Sequence, residues 1–457
     1  VGYDANSSPP AKPSPIRRQK AEDLPDYFYL NDKGRLCLNT AIMADWLAEQ
    51  LRPIISVNGG FLRYNYDSGT WLPMSEGAIR KIIRQTLGSE ATPNRTGQVL
   101  ENLRDDVHTE EAEILEANDP MILNLTNGMY NIETHELAPH DPKYYSRSQL
   151  PVAYDPDADC PEWEKFLDTT FVGAPDKVIC LQDFFGYCLY PQIIFPAAMF
   201  AIGDGRNGKG VVEHALISVL GRKNVCHISL KRLEDRFGVV EIKDKLLNSV
   251  SETESGLLDV TKFKQVTAGD EVQAEKKFQG DCTFTPIAKH YISMNAFPNV
   301  KEKTDSFFRR VIVLEFSQRF DGENRDPFLK QKLEAETDGI FLWALSGLKD
   351  VLRNLEIRIG ESGTAAKARH RAANNHLLSF VEEACYIGDT HMAKPQDVFK
   401  AYLTWSSESN IRHTYGKIGF YEELQLQFPE VRKFRPTGST IEMFRGIGIM
   451  SRYDSCA

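Results

Sequence analysis

A lysine behind a series of spaced glycines is the most chemically suggestive feature of this chain. Gly203, Asp204, Gly205, Arg206, Asn207, Gly208, Lys209, Gly210 and Val211 follow an apolar run at 198–202. Glycines at 203, 205 and 208 permit positive φ and close approach of backbone to a ligand, so consecutive N–H groups can converge on phosphate oxygens. Lys209 would reach the β- and γ-phosphates of a bound nucleotide. Val211, Val212, Ala215 and Leu216 continue as a helix packed on the sheet, its positive end facing the same anion. Gly210 stands where a Ser or Thr hydroxyl normally ligates Mg²⁺. A glycine-rich turn that binds nothing shares this pattern, so other stretches must decide.

Holding a nucleotide is not hydrolysing it, which also takes acids at the tip of a neighbouring strand to hold Mg²⁺ and polarise water. Residues 246–254 supply such a strand end, with Glu252 at its tip and Glu254 on the same side if the strand continues. A solvated strand end would carry the same acids. Residues 289–295 form a second apolar strand finishing on Asn295, an amide able to hydrogen-bond both a γ-phosphate and an attacking water. Asparagine is also an ordinary turn former, and its weight here comes from its order behind the loop and the acids.

Between these strands, 267–270 leads into extended runs at 272–277 and 282–286, with Lys276 and Lys277 near the tip of the hairpin they imply. Lysines beside an aromatic suit a nucleic-acid backbone, although a soluble turn carries such pairs too. Arg309 and Arg310 then precede an apolar strand at 311–314. An arginine fork can neutralise charge on a transferred γ-phosphoryl group, commonly from the adjacent subunit of a ring. A local salt bridge is the alternative, and only one of the two need face nucleotide.

The elements that must position these residues are set by an ordinary globular composition. A chain of 457 residues, 42% hydrophobic and 26% charged, has room for two to four domains. Eight cysteines without a Cys-x-x-Cys pair argue against a zinc site or a disulfide framework and suit reduced thiols in a cytoplasm. The best apolar run, 189–202, is broken by Pro191, Gln192 and Pro196, so no membrane span is expected. A net charge of −10 confines nucleic-acid contact to a local patch or to a pore shared by several subunits. The chain opens on Val1, so a longer protein is expected.

Residues 1–24, rich in Pro and Ser, read as a disordered linker. An α+β region is expected over 25–155: a helix at 40–51, a hairpin over 54–71 turning at Asp67, Ser68 and Gly69, helices at 76–87 and 97–115, and a small hairpin within 127–137. Pro151, Asp155 and Pro156 mark a boundary. Residues 156–355 alternate helix and strand, the α/β pattern that a phosphate loop requires. Short helices at 377–385, 395–406 and 415–426 then close on a basic hairpin containing Arg432, Lys433, Arg435 and Arg445. That order suggests a winged-helix-like domain over 360–457, with a generic helical tail as the alternative.

Taken in order, the loop at 203–210, Glu252, Thr267-Ala268-Gly269-Asp270, Asn295 and Arg309-Arg310 resemble superfamily-3 helicases of the AAA+ class. The chain is most similar to phage and plasmid primase-helicases related to the poxvirus primase-helicase. The resemblance extends to 64–71, 127–130, 150–156 and 338–348. It implies an AAA+ phosphate-loop domain in a hexameric ring that hydrolyses ATP with Mg²⁺ between subunits and draws single-stranded DNA through a central pore, with Lys276 and Lys277 as pore lysines. It also implies forked DNA as substrate and a primase or polymerase module upstream; residues 1–150 lack the acidic constellation that priming needs. Gly210 motivates another expectation, a ring-forming DNA-binding scaffold or loader with weak or no ATPase.

Overall fold

A computed structural model describes residues 24–235, 237–252, 257–258, 260–276, 280–300, 305–322, 325–409, 414–437 and 440–453. The expected linker, Glu254 and Lys277 therefore lie outside the described residues, except for Leu24. The centre is a five-stranded parallel sheet of β1 (Ala198–Ile202), β2 (Val225–Cys226), β3 (Leu247–Glu252), β4 (Lys289–Met294) and β5 (Val311–Glu315). Its spatial order is β2-β3-β4-β1-β5. β1 and β4 are buried at every position, as inner strands of a parallel sheet covered on both faces are. The acid-bearing β3 was expected beside β1. In the structure β4 pairs in parallel with both and lies between them, because the phosphate-loop strand takes β5 as its other neighbour.

Helices cover both faces. One face carries α1 (Pro161–Thr170), α2 (Pro175–Leu189), α3 (Lys209–Leu220), α4 (Leu329–Ala335) and α5 (Thr337–Asn354), whose apolar side chains join one core. The α2–α5 contact is close because it is made of glycines: a Cβ at Gly186 would lie 2.1 Å from the Leu348 nitrogen, and one at Gly347 would lie 2.2 Å from the Gln182 carbonyl oxygen. A Phe-rich cluster fills the other face, where Phe200, Phe263, Phe307 and Phe308 are buried together.

Packing cuts across the chain near both expected domain boundaries. Leu123, Leu125, Tyr130, Ile132, Leu150 and Val152 belong to the same core as α1 and α2, and the Asp338 side chain accepts from the Ala153 amide at 2.8 Å. The core thus runs through the boundary expected at 155, since proline punctuation reports chain direction and not which surface is buried. The separate N-terminal core spans Tyr27 to Leu103, beneath helices Thr40–Leu51, Glu76–Leu87 and Pro93–Asp106. The helix expected at 97–115 is two, Pro93–Asp106 and Glu111–Ala117; the Val107 amide caps the first.

At the other end, within the domain expected over 360–457, a separate core begins at Leu377. Helix Gly360–Asn374 lies against the central sheet, with Ala366 buried in the Phe-rich cluster and Arg369 and His370 on Glu315 of β5. The C-terminal unit's own core joins Leu377, Phe380, Val398, Tyr402, Phe420, Leu424, Phe444 and Ile447. Its elements run helix His376–Ala384, strand Cys385–Ala393, helices Pro395–Glu408 and Lys417–Gln427, then strands Arg432–Phe434 and Met443–Ile449. The last strand sits between the other two. Strand Cys385–Ala393 escapes the sequence pattern because it is largely exposed and slips register between Gly388 and Met392.

Candidate nucleotide site

The loop between β1 and α3 is shaped by its glycines. Gly203 has φ 154° and Gly208 φ 97°, and Arg206 is itself left-handed at 62°. A side chain at 203 would strike both the Asn207 amide and the Phe316 carbonyl oxygen at 2.4 Å. Gly208 caps α3, and a Cβ there would press on the Phe166 ring at 3.1 Å. β5 holds the loop from the other side: the Phe316 amide donates to the Ile202 carbonyl at 2.8 Å, and the Phe320 amide donates to the Arg206 carbonyl at 2.8 Å.

Lys209 is only 7% exposed. Its ammonium donates to the Gly203 carbonyl, to the Asp204 carbonyl at 3.2 Å and to the Asn207 side-chain oxygen at 3.2 Å. Burial holds its pKa below the usual lysine value, opposed by the nearby Asp204 charge. The Tyr291 hydroxyl of β4 donates to the Lys209 carbonyl at 3.1 Å, fixing the start of α3 over the sheet.

These residues line one cleft at the C-terminal ends of the parallel strands. Gly205, Arg206, Asn207, Gly208, Lys209, Gly210 and Val211 enter it from the loop, Ser251 from β3, and Ser293 and Asn295 from β4. Gly203 and Asp204 shape the loop from outside that lining. Glu252 ends β3. Asn295 is exposed one residue beyond β4. The two arginines part company: Arg309 is exposed, whereas Arg310 is 8% exposed and donates to the Ser306 carbonyl. Neither lines the cleft of its own chain.

Sequence pattern did not reveal the far wall. Lys165 and Phe166 of α1, and Arg319, Phe320, Arg325 and Lys330 after β5, line the same cleft. Asp321 ties this wall to the loop, pairing with Arg206 at 2.8 Å and with Arg319; these partners keep its pKa low. The clustered cations at 319, 325 and 330 were a signal of sorts, without a strand pattern to aim them. Glu213, one turn into α3, also reaches the cleft and accepts from the Ser249 hydroxyl of β3 at 2.7 Å. Glu213, Ser249 and Ser251 are hard oxygen donors, the kind that suits Mg²⁺.

Of the expected DNA-contact residues, Lys276 pairs with Gly280 at the end of the hairpin Val272–Lys276 and Gly280–Phe284. Arg432, Lys433 and Arg435 are exposed, and Arg432 sits directly opposite Arg445 across the C-terminal sheet. Lys433 lies over the Tyr421 ring at 5.0 Å. Among the described residues, no helix is long and apolar enough to cross a membrane.

Comparison with known proteins adds three findings. Residues 40–172 match the family described as D5 N terminal like, and residues 201–310 match a Family of unknown function (DUF5906). The first match runs past 155 into α1, in step with the shared core; the second contains the loop, β3, Asn295 and both arginines. Protein 121R of Invertebrate iridescent virus 3, named as a candidate helicase, is 22% identical over 367 residues, 69% of this chain. The chain spans 38% of that relative's length. Two apo structures of the NrS-1 C terminal region share the fold, at TM-scores of 0.53 and 0.51 and identities of 10% and 11%, each covering 89% of this chain and 99% of the other.

Proposed function

We propose that the chain is an ATP-dependent replicative DNA helicase of the superfamily-3, AAA+ class, the helicase part of a phage or plasmid primase- or polymerase-helicase. The observation that carries this is the cleft itself: a glycine-shaped loop delivers Lys209 beside Ser251, Ser293 and Asn295 at the ends of β3 and β4. The placement of β4 between the loop strand and the acidic strand supports the AAA+ assignment. Likeness to a viral helicase candidate supports the helicase reading, for which the cytoplasm of a host cell is the proposed setting.

Lys209 is held by three loop oxygens, and the β- and γ-phosphates of ATP would replace them as partners. A desolvated ammonium gains more from an anion than a solvated one does. Mg²⁺ bound with the nucleotide would supply charge neutralisation, and Glu252, with or without Glu254, would hold it and polarise the attacking water. Asn295 would orient that water against the γ-phosphate. Arg309 is the better arginine finger, because it is exposed while Arg310 is tied into its own turn, and it would act on the neighbouring subunit's nucleotide in a homo-oligomeric, hexameric ring. Lys276 and Lys277 would track single-stranded DNA in the pore. The order of helices and strands over 376–449 supports a winged helix, with Arg432, Lys433 and Arg435 meeting duplex phosphates of forked DNA.

A forked duplex with a labelled strand tests the proposal: ATP should drive strand release, and a non-hydrolysable analogue should not. Gly210 favours a second reading, a ring-forming scaffold or loader for a primase or polymerase. Rings that bind single strands yet release none with ATP would support it.

A further inference from the structure

Gly210 and Glu213 lie three residues apart on α3, hence on the same face of the helix, and both open into the cleft. A Cβ at 210 would meet nothing within 4 Å, so the space where a hydroxyl ordinarily sits is clear. The Glu213 carboxylate is anchored from below by Ser249 at 2.7 Å. Ser249 shares a face of β3 with Ser251, which lines the cleft beside them.

Among the described residues no cation pairs with Glu213, whereas the adjacent His214 is matched to Glu334 at 3.0 Å. Tyr291 packs in the same region and is held neutral by burial and by Glu213 itself. A carboxylate in a cleft built to receive a polyphosphate repels it unless a cation stands between them. The missing hydroxyl and the surplus carboxylate thus face each other across one helical turn.

We propose that Glu213 provides the carboxylate that positions the divalent cation accompanying the nucleotide, in place of the hydroxyl that Gly210 lacks. This rests on the nucleotide-site assignment above and names a metal-positioning residue for it. Glu213 contributes charge and an oxygen from the helix side of the cleft.

The test uses the full chain with adenylyl imidodiphosphate and Mn²⁺, following bound Mn²⁺ by electron paramagnetic resonance. Glu213→Gln keeps shape and an acceptor for Ser249, so folding should survive. It should weaken Mn²⁺ binding to the nucleotide complex by about tenfold to a hundredfold, while analogue affinity in EDTA stays level or rises as repulsion is removed. Adding Gly210→Ser to Glu213→Gln should recover Mn²⁺ binding. Mn²⁺ affinity unchanged in Glu213→Gln would overturn the proposal. Should that variant fail to fold, Gly210→Ser alone decides: little gain in Mn²⁺ affinity fits a place already served by Glu213, and a gain of about tenfold, the size of one supporting group's effect on a metal site, overturns it. Wild-type protein that binds no analogue with or without Mn²⁺ removes the nucleotide-site assignment and this inference together. Mn²⁺-dependent binding that ignores position 213 removes only this inference.

Discussion

Replacing Gly203 by Ala strikes the loop where it has least freedom. The residue sits at φ 154°, a conformation that L side chains rarely adopt, and its new methyl would lie 2.4 Å from both the Asn207 amide nitrogen and the Phe316 carbonyl oxygen. The carbonyl cannot retreat, because the Phe316 amide is bonded to Ile202 at 2.8 Å and continues the β1–β5 pairing. Asn207 cannot simply swing away either, since its side chain also accepts from Lys209. The loop must move. Strained backbone of this kind costs about 1–3 kcal/mol, and if the bound loop keeps its present shape that cost appears in nucleotide affinity, as roughly a tenfold to hundredfold loss. Titrating a fluorescent ATP analogue into Gly203→Ala and wild-type protein measures it, with circular dichroism to show that the sheet remains. Equal affinities would refute the idea that the ligand-free loop is already shaped for phosphate.

Further consequences concern other parts of the molecule. Arg358 donates from Nε and from its outer guanidinium nitrogen to the wholly buried Asp183 at 2.8 and 2.6 Å; Arg358→Met should therefore cost about 3–5 kcal/mol by leaving a buried carboxylate unpaired, read by urea denaturation. Burial brings the Lys289 ammonium down to about 7, against about 10.4 for a free lysine. The unfolded chain then binds more protons between those values, so this group makes stability rise with pH from about 7 to about 10, a rise that melts of Lys289→Met should lack. Deleting residues 375–457, which spares helix Gly360–Asn374 on the sheet, should weaken duplex binding and flatten its salt dependence by about one counterion for each phosphate no longer neutralised; unchanged salt dependence would deny the C-terminal unit a DNA role.

Much of the central sheet was legible because its strands are apolar runs ending in polar residues. β1, β3, β4 and β5 were each marked by such a run, and the loop by its glycines. Their lateral order was not legible: β4 lies between β1 and β3 through pairing at a distance of many tens of residues, which period and composition do not encode. The far wall of the cleft was hidden for a related reason, since Arg319 and Arg325 follow β5 in irregular chain and reach the loop only through tertiary contacts such as Asp321 with Arg206. Arg309 and Arg310 looked equivalent as neighbours, and burial alone separates them. Glu213 gave no signal because α3 is otherwise an apolar helix, where one acid looks like a solvated position.

Steady-state ATP hydrolysis by the full chain, with and without single-stranded DNA, in wild-type protein and in Lys209→Ala, reaches the centre of the account. The predicted result is hydrolysis that requires Mg²⁺, rises with DNA in the wild type and disappears in Lys209→Ala while rings still form. A wild-type chain that assembles and binds single strands but hydrolyses no ATP at any Mg²⁺ concentration, or a Lys209→Ala chain that hydrolyses as fast as wild type, would contradict it.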